Sequence, residues 1–132
     1  MNCALEFHDC RVTSITSANG TISLNFSAAY LHKSEGVPGV DDGSGWVQEG
    51  KLEFVNATEL GAVDIGEGWM VGGTLAVQSG EPMSMLPVPF DAAGGVTATF
   101  TFNNGVDVHL TAEAAHLSLT GHAEFVEEFR RA

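Results

Sequence analysis

The strongest constraint on this chain is a regular alternation of apolar and polar residues from Val96 to Leu119. Side chains along a β-strand point to opposite faces in turn, so this pattern predicts strands with one apolar face and excludes a helix. Residues 103–105 interrupt the alternation once, and a three-residue loop there sets Phe100 opposite Val108. A second tight turn, predicted at 113–114, completes a three-stranded meander whose apolar face must be covered.

The period of two recurs along the rest of the chain, with sixteen glycines placed between the apolar runs. Asn19-Gly20 has the residue types of a two-residue hairpin turn, in which both central residues take positive φ. That hairpin leaves Val12 on the polar face, unless a bulge near Arg11 corrects the register. With about eight to ten short strands, residues 1–132 are predicted to form a single all-β domain, an antiparallel sandwich or barrel.

Charge and composition restrict the expected partners. Seventeen acidic residues against five basic ones give a formal charge of −12, which repels nucleic acids and anionic membranes. The first residues lack the basic and apolar runs of a signal peptide, and no apolar stretch is long enough to span a bilayer, which favours a cytoplasmic protein. Cys3 and Cys10 are expected to be reduced thiols, and no cofactor is predicted.

A glycine- and proline-rich stretch from Ala28 to Val47 leaves one predicted strand and re-enters another at its end. About a dozen of its residues are predicted to form neither helix nor strand, and long loops in compact domains are often functional. The alternative is a rigid loop that folds over the end of a barrel or against a neighbouring subunit. The candidate ligand-binding residues are Tyr30, His32, Lys33, Asp41, Asp42 and Trp46, which together offer aromatic rings, a cation and carboxylates.

Two other groups contain histidine. The predicted meander makes His109 and His116 diagonal neighbours on adjacent strands, so they are weak candidates for metal ligands on what is otherwise a threonine-rich, solvated or subunit-facing surface. His8 and Asp9 are adjacent, and adjacent residues of a strand point to opposite faces. They can form a pair only if the chain turns between them, and a structural role is favoured over a catalytic one.

Residues 81–90 combine three prolines with several apolar side chains. Because proline cannot donate to a β-ladder, the segment is predicted at a sheet edge or as an extended connector. Its apolar side chains either pack across the domain or dock onto another chain, and the second alternative favours a homo-oligomer. The candidate interface residues are Met83, Met85, Leu86 and Val88.

Short motifs over nearly the whole chain resemble those of a group of small bacterial proteins of uncharacterised function. They are Leu5-Glu-Phe-His-Asp, Ala29-Tyr-Leu-His-Lys-Ser, Pro38-Gly-Val-Asp, Gly45-Trp-Val-Gln, Leu86-Pro-Val-Pro and Phe125-Val-Glu-Glu-Phe. The resemblance implies an all-β fold and supplies no activity. The Phe-His-Asp opening is also similar to that of immunity-protein-like β domains.

Three functions follow as hypotheses. The leading one is a non-catalytic, self-associating cytoplasmic domain that binds a protein partner or a small polar ligand. The first alternative is a metal-dependent or loop-based enzyme that uses His109 and His116, or His32. The second alternative is a toxin-neutralising binder, which the acidic charge supports.

Overall fold

The computed structural model describes residues 1–60 and 68–130. These ranges contain eight strands and no helix, and therefore no helix long and apolar enough to cross a membrane. The strands are β1 (Asn2–Ala18), β2 (Thr21–Ser34), β3 (Gly43–Val55), β4 (Thr58–Leu60), β5 (Gly68–Val77), β6 (Met85–Val88), β7 (Asp91–Phe102) and β8 (Asp107–Phe129). The all-β prediction is confirmed.

Six of the strands close into a ring. The order is β1, β2, β3, β8, β7 and β5, and β5 pairs back to β1 through Arg11 and Trp69. Every pairing in the ring is antiparallel. Of the two predicted architectures, the closed ring corresponds to the barrel. The two short strands attach outside this path, β6 to β1 and β4 to β8.

One hydrophobic core fills the interior of the ring. Phe7 and Phe100 meet edge to face with ring centroids 5.1 Å apart, and the ring centroid of Phe54 lies 6.1 Å from that of Phe100. Gly73 lets the backbone of β5 approach this cluster, because an added Cβ would lie 2.8 Å from the ring of Phe100. The largest fully buried side chains are Phe7, Phe54, Phe100, Phe102, Leu5, Leu24, Leu31, Leu52, Met70, Leu75, Leu86 and Leu110.

The predicted alternation on β7 and on the first half of β8 is confirmed. Phe100 and Val108 are buried and pair directly, whereas Thr99 and His109 lie on the outer face. The three-residue loop is also confirmed, since the Gly105 N–H donates to the Phe102 carbonyl at 2.9 Å and Gly105 has φ +85°.

The Asn19-Gly20 hairpin forms with the predicted pairing of Ile15 and Leu24. Irregular register between Arg11 and Ser14 turns Val12 inward, where it is fully buried opposite Phe26.

The second turn of the meander, predicted at 113–114, is wrong. β8 continues through these residues to Phe129, and Leu117 pairs with Leu52 of β3 instead of with Leu110. Glu113 and Ala114 are poor residues for a two-residue hairpin turn, which needs positive φ and hence glycine or asparagine. β8 is therefore one long strand where two short strands were predicted.

Residues 81–90 pack against their own chain. β6 forms a four-residue edge strand on β1, in which Leu86 pairs with Leu5 and is fully buried. Met83, Met85 and Val88 are half-buried, and Met83 and Val88 pack against the core. Leu86 therefore packs within its own domain, which is the first of the two alternatives, while self-association stays a prediction. The prolines of residues 81–90 fit an edge position, as predicted.

Candidate functional site: a cleft beside β1

Strand β1 bends sharply at residues 7–10. Its pairing with β2 jumps from Glu6 opposite Tyr30 to Arg11 opposite Ala28, so several β1 residues face a single β2 residue. Asp9 has φ +79°, a left-handed conformation that aspartate tolerates better than most residues. This wide bulge redirects the side chains of β1 away from regular alternation.

The other edge of β1 changes partner at the same place. It pairs with β6 as far as Glu6 opposite Met85, and with β5 from Arg11 opposite Trp69. Between β5 and β6 the surface opens into a cleft of about 450 Å³. The residues lining the cleft are Glu6, His8, His32, Gly39, Gly72, Gly73, Ser84 and Met85.

His32 reaches this cleft from β2 and is only 6% exposed. Its ring stacks on Phe129, with centroids 5.0 Å apart and an interplanar angle of 23°, and it meets the ring of Tyr30 edge to face at 5.3 Å. Its Nε2 contacts Oε2 of Glu6. The two rings thus fix the imidazole against a carboxylate at the edge of the cleft.

The second ring nitrogen of His32 is buried. In the neutral ring, an Nε2–H that donates to Glu6 leaves Nδ1 as an acceptor, and Nδ1 has no hydrogen-bond partner among the residues that the structure describes. A buried acceptor without a partner costs about 1–3 kcal/mol. Such atoms in native proteins often mark a functional role or a bound water or ion.

Glu6 and His8, which line the cleft, form a second cluster with Asp9. One ligand atom from each lies within 4.8 Å of the other two. His8 Nδ1 lies 3.2 Å from Asp9 Oδ2, and these side chains are 57% and 59% exposed. The left-handed Asp9 supplies the turn that the pair required, so a contact between adjacent residues forms where a regular strand would forbid it.

Tyr30 anchors the opposite side of His32. Its hydroxyl donates to Oε2 of Glu127 at 3.0 Å, and burial, together with this carboxylate, raises the pKa of Tyr30 above its usual range. The hydroxyl therefore remains a donor at neutral pH. Gly45 makes room for it, because a Cβ at that position would collide with the Tyr30 hydroxyl.

Cys10 lies behind the bulge and is fully buried. Its thiol donates to the Glu6 carbonyl at 3.0 Å, and its Sγ accepts from the Tyr30 N–H at 3.3 Å. Burial raises the pKa of Cys10 to about 12, and burial also raises the pKa of Cys3. Both cysteines are free thiols, as predicted, and Cys10 serves to hold the bulge.

The candidate loop residues are not gathered into one site. Residues 35–42 are the loop proper, and the strands on either side are longer than predicted. Tyr30 and His32 pack together near Glu6, whereas Lys33 lies over the ring of Trp46 at 4.6 Å. Successive residues of β2 point to opposite faces, and this separates Lys33 from His32.

Asp41 and Asp42 hold the loop itself. Oδ2 of Asp41 accepts from the Val37 N–H at 2.6 Å, and the carbonyl of Asp42 accepts from the Ser34 hydroxyl at 2.6 Å. The carboxylate of Asp41 and the carbonyl of Asp42 therefore stabilise the turn of this loop.

His109 and His116 do not share a site. They lie on the same strand, seven residues apart, and an extended strand of that length spans about 23 Å. His109 Nδ1 is 3.1 Å from the Thr99 hydroxyl, and His116 forms an ion pair with Asp91 of β7. These two weak candidates for metal ligands are not brought together, because the turn that would have made them neighbours does not exist.

Glu6 was missed as a site residue. The alternation places Glu6 and His8 on one face of β1, and this was the available signal. Its contact with His32 depends on the β1–β2 register beyond a bulge, which the sequence does not specify.

Comparisons with protein-family models, with curated proteins and with solved structures found no match. The resemblance to a group of small bacterial proteins stays a prediction. The candidate site accordingly rests on its own geometry.

Proposed function

We propose that this domain is a binding module for a small, positively charged polar ligand, which it holds in the cleft beside β1. The observation that carries this proposal is the contact between the buried imidazole of His32 and the carboxylate of Glu6 at the edge of the cleft. We thus keep the small-ligand hypothesis of the sequence analysis, and we place the site at the bulge of β1 instead of in the loop of residues 35–42.

The charge of the site favours a cation. Glu6 and Asp9 bring two carboxylates to one mouth, with only imidazoles in contact with them in the described ion pairs. The chain as a whole carries a formal charge of −12, so its field raises the local concentration of cations. An anionic ligand would be repelled by these two carboxylates and by the net negative charge of the chain.

The site is also organised before a ligand arrives. Glu6 and His32 stand on paired strands, and the imidazole is held by the stacked ring of Phe129 and the edge-to-face ring of Tyr30. Binding groups held on strands lose less conformational freedom on binding than groups on loops, so more of the interaction energy appears as affinity.

An NMR titration of the full chain tests this proposal, with 1,4-diaminobutane and a panel of divalent chlorides as probes. We expect amide shifts at residues 6–9, His32 and 84–85 for at least one cation, and loss of these shifts in Glu6→Gln. The matched control is Asp91→Asn, which removes the carboxylate of the exposed His116 pair elsewhere on the sheet. If no cation perturbs the cleft, the proposal is wrong.

Self-association stays a prediction. Light scattering at high protein concentration checks it, and a strict monomer would contradict it.

A further inference from the structure

We propose, building on the function above, that the cation is a divalent transition-metal ion of the zinc class, ligated by Glu6, His8 and Asp9. In the structure, these three residues bring their ligand atoms within 4.8 Å of one another. His109 and His116, the weak candidates of the sequence analysis, lie on separate parts of β8.

The donor set selects the class of metal. An imidazole nitrogen with carboxylate oxygens suits zinc and its first-row neighbours, whereas calcium and magnesium prefer sites made of oxygen alone. Zinc binds these atoms at about 2.0–2.2 Å, so two ligands of one ion lie at most about 4.2 Å apart. His8 Nδ1 and Asp9 Oδ2 already meet this limit at 3.2 Å, and both side chains are exposed enough to rotate.

The position of His32 in the same cleft also supports a ligand site. His32 lines this cleft, is more than nine-tenths buried, and has an Nδ1 without a partner in the described part of the chain. Metal-binding carboxylates are commonly oriented by a hydrogen bond from a neighbouring side chain. His32 holds Oε2 of Glu6 in this way. His32 is therefore a positioning residue and not a ligand.

Three protein ligands leave coordination positions for water or for a small second ligand. A site with such an open position is typical of exchangeable or chemically active zinc, while structural zinc sites have four protein ligands. The adjoining cleft of about 450 Å³ has room for such a molecule. We infer a site that takes up metal reversibly from solution.

Isothermal titration calorimetry of the chelator-treated full chain with zinc chloride tests the inference. We expect one zinc per chain, no measurable binding of calcium, and loss of zinc binding in His8→Ala and in Asp9→Asn. His32→Gln should weaken zinc binding by about 10–100-fold, as removal of an orienting group does. Cobalt(II) substitution gives a second readout, because the visible spectrum of the bound ion should appear in the unmodified chain and be absent in His8→Ala.

His116→Ala and Asp91→Asn are the matched controls, since they dismantle an imidazole–carboxylate pair of the same type on β7 and β8. Zinc binding that His8→Ala leaves intact, or that His116→Ala abolishes, overturns the inference. Absence of zinc binding while 1,4-diaminobutane still perturbs the cleft overturns the metal assignment and leaves the proposed function standing. Absence of both overturns both.

Discussion

The imidazole of His32 contacts the carboxylate of Glu6, although the two residues are 26 positions apart in the chain. The contact exists because β1 and β2 pair antiparallel, with Glu6 opposite Tyr30 and Ala4 opposite His32. Just beyond Glu6, the bulge at Asp9 places the side chains of His8 and Asp9 close to the carboxylate of Glu6. The pairing of β1 with β2, together with the bulge that interrupts it, thereby brings together the charged groups of the proposed site.

We expect His32→Ala to destabilise the fold. The change removes a ring packed between Tyr30 and Phe129 and leaves Glu6 without its donor, so the free energy of unfolding should fall by about 1–3 kcal/mol. Urea denaturation measures the loss. His109→Ala removes a histidine from the exposed face and should stay within about 0.5 kcal/mol of the unmodified chain. Equal effects of the two substitutions would contradict the packing described for His32.

We expect Gly45→Ala to be destabilising although it adds only a methyl group. The new Cβ would collide with the hydroxyl of Tyr30, and overpacking of this kind costs about 1–3 kcal/mol. Gly72→Ala is the control, because a Cβ at Gly72 meets no atom within 4 Å. Thermal denaturation compares the two. A melting temperature unchanged by Gly45→Ala would show that Tyr30 does not lie over this glycine.

The alternation on β7 predicts opposite outcomes for neighbouring residues. Phe100 is fully buried against Phe7 and Phe54, so Phe100→Ala should cost about 3–5 kcal/mol. Thr99 lies on the outer face beside His109, and Thr99→Ala should change stability by about 0.5 kcal/mol or less. Urea denaturation of both variants is the measurement, and reversed effects would mean that the faces of the strand are reversed.

Stability should fall as the pH rises above 9. The pKa of Cys10 is about 12 in the folded chain against 9.0 for a free thiol, so between these values the unfolded chain releases its proton and the folded chain keeps it. The free energy of unfolding then decreases by up to about 1.4 kcal/mol per pH unit for this group. Cys10→Ala should make the decline less steep, which urea denaturation at pH 8, 9, 10 and 11 checks. A slope that is the same in both chains would contradict the burial of a neutral thiol.

The sequence was informative where the structure is regular. The alternation from Val96 to Leu110 and the Gly105 loop predicted faces and register correctly, because one buried face allows only one pairing. The turn predicted at Glu113 and Ala114 was wrong, because one long strand and two short strands show the same alternation of apolar and polar residues. The two alternatives differ in the pairing partner of Leu117, which is Leu52 of β3. Leu52 lies far away in the chain, so the local sequence does not reveal this pairing.

The site was only partly predictable for the same reason. His32 and Tyr30 were among the candidates on residue type, and the need for a turn at Asp9 was recognised from the adjacent His8. Glu6 could not be joined to His32, because the bulge breaks the register on which such an assignment depends. Lys33 and Trp46 were grouped with His32 as loop residues, and they belong to strands whose pleat separates them from it.

The most direct measurement is an NMR spectrum of the histidine ring nitrogens, recorded before and after one equivalent of zinc is added to the full chain. We expect Nδ1 of His8 to shift strongly on binding the ion and the ring of His32 to respond through Glu6. The other three histidine rings should not move, namely His109, His116 and His122. A shift at any of these three in place of His8, or no shift at any histidine, would contradict a metal site in the cleft.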